Sequence, residues 1–462
     1  MRDLILVCFI LGFVVASFKR PYFMALGYIW VDFLQPQKLT YWFLNSAPVA
    51  LIMAIGALAF YVFIDEKQRA RISAVQILVI VLVFYATAST FGWAVLKDHA
   101  YEKWDWVAKG LSFSVFLPWV LSTRRRVEAA VFVMVLSTAA ITISGGIKTL
   151  LGSGGYGNVS FLVVSNTGLY EGSTLATVAL AFIPLTLWLY RHNSLMKRNL
   201  LTLLATAGII FSMTLVTVGA EARTGLVAGA ALALLLWIGS RRKLLLAGGF
   251  AVAAVVAVPI LPASFVERMS TIKAFDEDLS ASTRLAVWQW TLDFVAENPM
   301  GGGFGVYRIN QFDVELKRRE GEEANMDTRT VTIKKEARAF HNSYFEVLGE
   351  LGYPGLFIYL AIVVLSLKTA FSLRRVKTGS PDDDAWFADL GRMLSIAMLT
   401  YMAGSMFVGI AFQPAFYFML ALTIAAGHIA QRMRVANNVE TRIGPSERAG
   451  NGEGATVTPA RA

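Results

Sequence analysis

Charge is scarce in this chain. Of its 462 residues only 16% are Asp, Glu, Lys or Arg, whereas 56% are hydrophobic, and the mean hydropathy is +0.56. Soluble domains carry roughly 25% charged residues, so the composition excludes the soluble and disordered classes and defines a polytopic membrane protein. Cysteine is nearly absent: Cys8 stands alone in the first apolar run, which excludes an intramolecular disulfide. No His, Cys and carboxylate set has metal-ligand spacing, there is no Gly-x-Ser-x-Gly elbow, and no segment repeats at a fixed period. Histidine is also sparse, with four in the whole chain.

The charges that are present are patterned. The net charge of +10 comes from short basic clusters between apolar runs: Lys19-Arg20, residues 67–71, Arg124-Arg125-Arg126, Lys197-Arg198, Arg241-Arg242-Lys243 and Arg374-Arg375. That distribution follows the positive-inside rule and argues against a nucleic-acid partner. A helical span needs about 17 to 25 apolar residues. Runs near 4–18, 22–34, 47–64, 74–96, 107–122, 127–146, 172–190, 200–218, 224–239, 244–261, 344–371, 390–412 and 415–429 predict an all-α protein with about 12 to 13 transmembrane helices. The first run is read as a span rather than a cleaved signal, because no small-x-small site precedes Lys19.

Four parts follow: N-terminal transmembrane helices over 1–262, one long extracytoplasmic loop or lid over 263–340, C-terminal helices over 341–436, and a disordered cytoplasmic tail over 437–462. The lid holds 13 acidic and 11 basic residues, a net of −2, so the positive charge lies elsewhere. Within it, Ser280 to Arg284 followed by Leu285, Trp288, Leu292 and Val295 has helical spacing, a serine cap and a stop at Asn298-Pro299. Residues 98–106 are expected on the same side as a polar, aromatic connection.

A charged side chain at membrane depth is a functional candidate by default. Arg223 breaks an apolar run on the extracytoplasmic side; its alternative role is to snorkel to headgroups. Arg284 falls in the first turn of the lid helix, where N–H groups already favour an anion, and a guanidinium there can grip two phosphate oxygens. His341 closes the hydrophilic segment and opens an apolar helix; a neutral imidazole there can accept a proton near neutrality. Arg308, Arg338, Asn342, Tyr344 and Glu346 surround these as candidate substrate contacts. Glu346 and Glu350, spaced i, i+4, either orient an acceptor or bond a neighbouring helix. His99 reads as part of an aromatic belt, His192 and His428 as structural, and Asp382-Asp383-Asp384 as a solvated cytoplasmic loop. The glycines of residues 300–308 either turn the chain or wrap a phosphate; no Walker lysine accompanies them.

Three motifs together resemble the O-antigen ligase and O-antigen polymerase superfamily of bacterial membrane glycosyltransferases. They are Ala222-Arg223-Thr224-Gly225, the stretch from Ser282-Thr283-Arg284 through Asn298-Pro299 to Gly305, and Phe340-His341-Asn342 running to Glu350-Leu351-Gly352. The N-terminal residues Met1-Arg2-Asp3, Lys19-Arg20-Pro21 and 35–40 also look like the O-glycosylation ligases of exosortase-linked exopolysaccharide systems. The resemblance implies a bacterial inner-membrane transferase acting at the periplasmic face on a polyprenyl-diphosphate-linked glycan, with a lipid, glycan or protein acceptor and no cofactor, nucleotide sugar or obligatory metal. By carry-over, Arg223 and Arg284 would hold the diphosphate and His341 would activate the acceptor hydroxyl, with inversion at the anomeric carbon. A polymerase of the same superfamily is the nearest alternative. A lipid-oligosaccharide flippase is one from another class, although the duplicated halves common in transporters are not visible.

Overall fold

The computed structural model describes residues 2–40, 43–68, 70–151, 167–257, 279–320 and 327–442. Long apolar runs must satisfy their backbone internally in lipid, and each of the predicted runs falls on a helix. The N-terminal helices are α1 (Arg2–Lys19), α2 (Phe23–Leu34), the short α3 (Pro36–Leu39) and α4 (Phe43–Ser46), α5 (Val49–Phe63), α6 (Ala74–Gly92), α7 (Lys97–Val120), α8 (Arg124–Leu150), α9 (Gly172–His192), α10 (Leu200–Gly219), α11 (Arg223–Ile238) and α12 (Lys243–Ala257). Then come the lid helix α13 (Leu279–Glu297), strands β1 (Gln311–Glu320) and β2 (Asp327–Glu336), and helices α14 (Ser343–Leu373), α15 (Pro381–Gly404) and α16 (Pro414–Arg442).

Six of these, α6, α8, α9, α10, α14 and α16, are long and apolar enough to cross a membrane, and α2, α5 and α11 are shorter apolar helices. The chain is a multi-pass, all-α membrane protein. Its interior is built on α9, which packs against α8, α10, α11 and α15, and on α16, which packs against α7, α14 and α15. Leu4, Phe9, Ile55, Phe84, Leu204, Phe211 and Leu244 point outward instead. An apolar exterior on that scale suits lipid rather than water.

Side chains fasten the two ends of the bundle differently. At one end the basic clusters find acids and carbonyls: Arg126 grips Asp65 through two bonds of 2.6 and 2.7 Å, Arg124 pairs with Asp383, and His192 meets Asp389 at 3.1 Å. Trp386 Nε1 donates to Glu128 Oε1, and Arg432 donates to the Ser122 carbonyl. The Arg124–Arg126 cluster therefore joins the end of α9, the start of α15 and the end of α16 on one face of the bundle. Asp382, Asp383 and Asp384 belong there, yet they open α15 rather than form a loop, where carboxylates favour a helix N-terminus.

Three other expectations change. Residues 98–106 are not a connection: they form the first turns of α7, with Asp98 at its start and Lys109 bonded to Asp105 one turn earlier. The lid is not purely helical, because β1 and β2 form an antiparallel hairpin with Val314 facing Ile333 and Asp313 facing Lys334. The tail does not become irregular at 437, since α16 continues to Arg442. The rest of that tail, residues 258–278, which include the first part of the lid, and lid residues 321–326 lie outside the described residues.

Candidate active site

The opposite end of the bundle is organised by α14. Asn342 caps its N-terminus, accepting from Tyr344 N at 2.8 Å and Phe345 N at 3.3 Å, and Ser343 is buried with its hydroxyl donating to the Val408 carbonyl. Two turns in, the helix breaks at Gly352, whose φ of 65° and ψ of −166° are non-helical. The freed groups are paired with the 299–303 loop: Gly302 N donates to Gly349 O, Gly303 N to Glu350 O, and Tyr353 N to Pro299 O. A Cβ on Gly352 would stand 2.2 Å from the Pro299 oxygen, so only glycine permits this contact of two backbones. The glycine-rich loop thus spends its donors on α14 and leaves no phosphate wrap.

Beneath that loop lies a buried ion triad. Lys103 Nζ, from α7, donates to Glu346 Oε1 at 2.7 Å and to both Glu350 oxygens at 2.9 and 2.8 Å. Glu350 also accepts from Gly305 N at 2.9 Å, Glu346 accepts from Ala411 N at 3.1 Å, and the rings of Phe304 and Phe412 flank the ammonium. Of the two roles open for Glu346 and Glu350, the structure gives that of binding a neighbouring helix. Lys103 was absent from the sequence-derived candidates; its only signal was a lysine within an aromatic, helix-compatible stretch.

Phe340 anchors the residue beside it. Its carbonyl accepts from Trp288 Nε1 at 2.9 Å, and its ring packs with Val287 and Val306 in a small apolar cluster between α13, β1 and the 306–309 turn. Trp288 in turn stacks on Phe345 at 5.2 Å. His341 follows with φ at 46°, a left-handed conformation that costs an L-residue about 1–3 kcal/mol. Among the described residues the other non-glycine positions with positive φ are Gln35, Glu221 and Ala337. All of them lie at this end of the bundle, which is where strain held by surrounding structure suggests function.

The His341 imidazole opens into a cavity of about 440 Å³ walled by Arg284, Thr283 and Val287 of α13, by Lys335 of β2 and by Arg338 just after it. Arg338 is held through its backbone by Asn310, whose amide bonds both the Arg338 nitrogen at 2.9 Å and its carbonyl at 2.7 Å. Three cations therefore line the cavity with one imidazole, and no carboxylate lines it among the described residues. His341 precedes the membrane-spanning part of α14. Burial and the Arg284 guanidinium push its pKa below the ordinary imidazole value, and the Glu171 carboxylate partly restores it.

The expected residues divide accordingly. The cavity unites Arg284, Arg338 and His341, and adds Lys335, which sequence reasoning missed together with the hairpin that carries it. Arg223 opens α11 at the same end: Ala220 lies against Gly172, next to the Glu171 that acts on His341, but Arg223 does not line this cavity. Asn342 serves as a helix cap, Tyr344 donates to the Met402 carbonyl at 3.3 Å, and Arg308 stacks over Tyr307 away from the cavity. No group of three or more His, Cys, Asp or Glu arranged to hold a metal occurs among the described residues.

A helical multi-pass membrane protein with a cationic, histidine-bearing cavity at one end is the class these features define. Residues 208–360, from α10 through the first half of α14, match the family described as O-antigen ligase, a match that supports the O-antigen ligase and polymerase superfamily for that part of the chain. Residues 1–194 match a family of unknown function, so neither match bears on the exosortase-linked branch. No curated protein matches the chain.

Proposed function

We propose that the protein is a glycosyltransferase that moves a glycan from a polyprenyl-diphosphate carrier to an acceptor hydroxyl at the extracytoplasmic face of a bacterial inner membrane. The observation that carries this reading is the cavity that Arg284, Lys335 and Arg338 line with His341, inside the O-antigen ligase match. In the reaction, the acceptor oxygen bonds to the anomeric carbon while the bond from that carbon to the diphosphate oxygen breaks. His341 takes the hydroxyl proton, and the electron pair leaves on the carrier diphosphate. Negative charge grows where the cations stand, and preorganised charge aimed at the leaving group is the larger part of such catalysis. Arg223 acts as a further cation on the carrier from the α11 side. A single displacement of this kind inverts the anomeric configuration.

A lowered His341 pKa supports the base role, because it keeps the imidazole neutral at pH 7. The sidedness is supported by the Arg124–Arg126 cluster on the opposite face. The broken helix α14 would suit a transporter, but its break is filled by the 299–303 backbone rather than by a solvent cavity. Reconstitution with a defined polyprenyl-diphosphate glycan tests the reading, with a lipid-linked sugar, a second carrier-linked glycan and a Ser/Thr protein offered in turn. One acceptor is expected to gain the glycan mass, and a ladder on the carrier would identify a polymerase. Failure of all acceptors, with donor moved between leaflets instead, would replace transfer by transport.

A further inference from the structure

The end that carries the Arg124–Arg126 cluster holds another cavity, of about 570 Å³. Arg71, in the connection between α5 and α6, forms one wall; His428, Gln431, Arg432 and Val435 of α16 form the other. His428 and Arg432 are spaced i, i+4 and so share a helix face. The His428 side chain is 8% exposed, and neither ring nitrogen makes a hydrogen bond of good geometry among the described residues, although the Arg71 backbone lies within hydrogen-bonding reach of the ring. Buried polar groups are satisfied in the great majority of native structures, and with two ring nitrogens and one backbone neighbour this imidazole keeps a position open to a ligand. Arg432 gives one guanidinium nitrogen to the Ser122 carbonyl, which leaves donors of its planar fork for the cavity.

Among the described residues no Asp or Glu lines this cavity, and the charges that do are positive. A tetrahedral oxyanion matches two guanidinium forks and one imidazole N–H better than a planar or monovalent anion does. Val435, with Ala70 and Ala436, adds an apolar wall of the kind that accompanies a headgroup site between transmembrane helices. We propose that this cavity binds a phosphate group, gripped by Arg71 and Arg432 with His428 as a third donor. The ligand is either the phosphate of an anionic lipid in that leaflet or a soluble phosphate compound. The site lies at the other end of the bundle from His341 and is independent of the transfer reaction.

The test uses the full-length purified protein in lipid nanodiscs, with native mass spectrometry reading retained lipid. Phosphatidylglycerol, a phosphate-free galactolipid and millimolar inorganic phosphate are the probes. Wild type is expected to retain phosphatidylglycerol selectively over the galactolipid, and Arg71→Gln and Arg432→Gln each to weaken retention about fivefold, the value of one cation near a charged surface. Arg374→Gln, a cation outside the cavity, is expected to leave retention unchanged. Arg71 sits in an exposed connection, so its variant separates loss of binding from loss of fold. Displacement of the lipid by inorganic phosphate, or phosphate binding without lipid, assigns the soluble source. Equal retention of both lipids, with phosphate binding absent or the same in the arginine variants, overturns the proposal.

Discussion

Replacing Lys103 with methionine would remove one cation from between two buried carboxylates. Glu350 is fully buried and Glu346 is 8% exposed, so neither can turn to water when the ammonium is lost. Breaking a buried pair costs about 3–5 kcal/mol, because a charge is left without compensation. Here one lysine serves two acids, which places the loss near the top of that range. The remaining bonds from Gly305 N to Glu350 and from Ala411 N to Glu346 reduce it, and each such charged bond is worth about 1.5–3 kcal/mol in general. We expect a net loss of about 4 kcal/mol. With an unfolding entropy of about 2.1 cal/mol/K per residue, a chain of this length loses about 1 °C of Tm per kcal/mol, so Lys103→Met should unfold about 4 °C lower in detergent. Adding Glu346→Gln and Glu350→Gln removes the uncompensated charges and should recover most of the shift. A Tm equal to wild type for Lys103→Met, or a further fall in the triple variant, would refute the reasoning.

The same geometry sets further outcomes. A base must be deprotonated, so kcat/KM falls as pH drops through the His341 pKa; because that pKa is lowered, the acid limb should lie below the ordinary value of about 6.5. Glu171→Gln removes a carboxylate that raises it and should move the limb to still lower pH, whereas Arg284→Gln should move it higher; an unshifted limb in both variants would count against His341 as the titrating group. Gly352→Ala combines a φ of 65° with a Cβ 2.2 Å from the Pro299 oxygen and should cost more than about 3 kcal/mol, read as lost thermal stability or expression. Arg338→Gln, in the cavity wall, should raise the apparent Kd for a polyprenyl diphosphate about tenfold or more, while Arg308→Gln should leave it unchanged. Equal effects of those two variants would move the donor site elsewhere.

The helices were readable because lipid leaves a chain few choices: a run of apolar residues must satisfy its own backbone, and each run fell on a helix, although α7 and α15 begin about ten residues before their runs and α16 ends well beyond its own. Arg284 and His341 were readable for a related reason, since polar groups at the start of apolar helices are conspicuous. Lys103 was hidden because its acids lie 243 and 247 residues away, and a single sequence carries no signal of such pairing. The hairpin was obscured by its own charges. Thr328-Arg329-Thr330-Val331-Thr332-Ile333 is rich in β-branched residues, but Lys317-Arg318-Arg319 opposite it reads as solvated chain. With the hairpin went Lys335, whose place in the cavity depends on strand register. The start of α7 was misread for a different reason: the closely spaced charges of Asp98, Lys103 and Asp105 suggest a connection until the buried acids of α14 are known.

The most direct measurement is single-turnover transfer from a defined polyprenyl-diphosphate glycan by wild type, His341→Ala and Arg284→Ala, with donor binding measured separately. Loss of a general base should lower the rate about 10²- to 10⁴-fold while leaving donor affinity near wild type. Loss of Arg284 should weaken donor binding as well. Transfer by His341→Ala at the wild-type rate would contradict the assignment of this imidazole as the base.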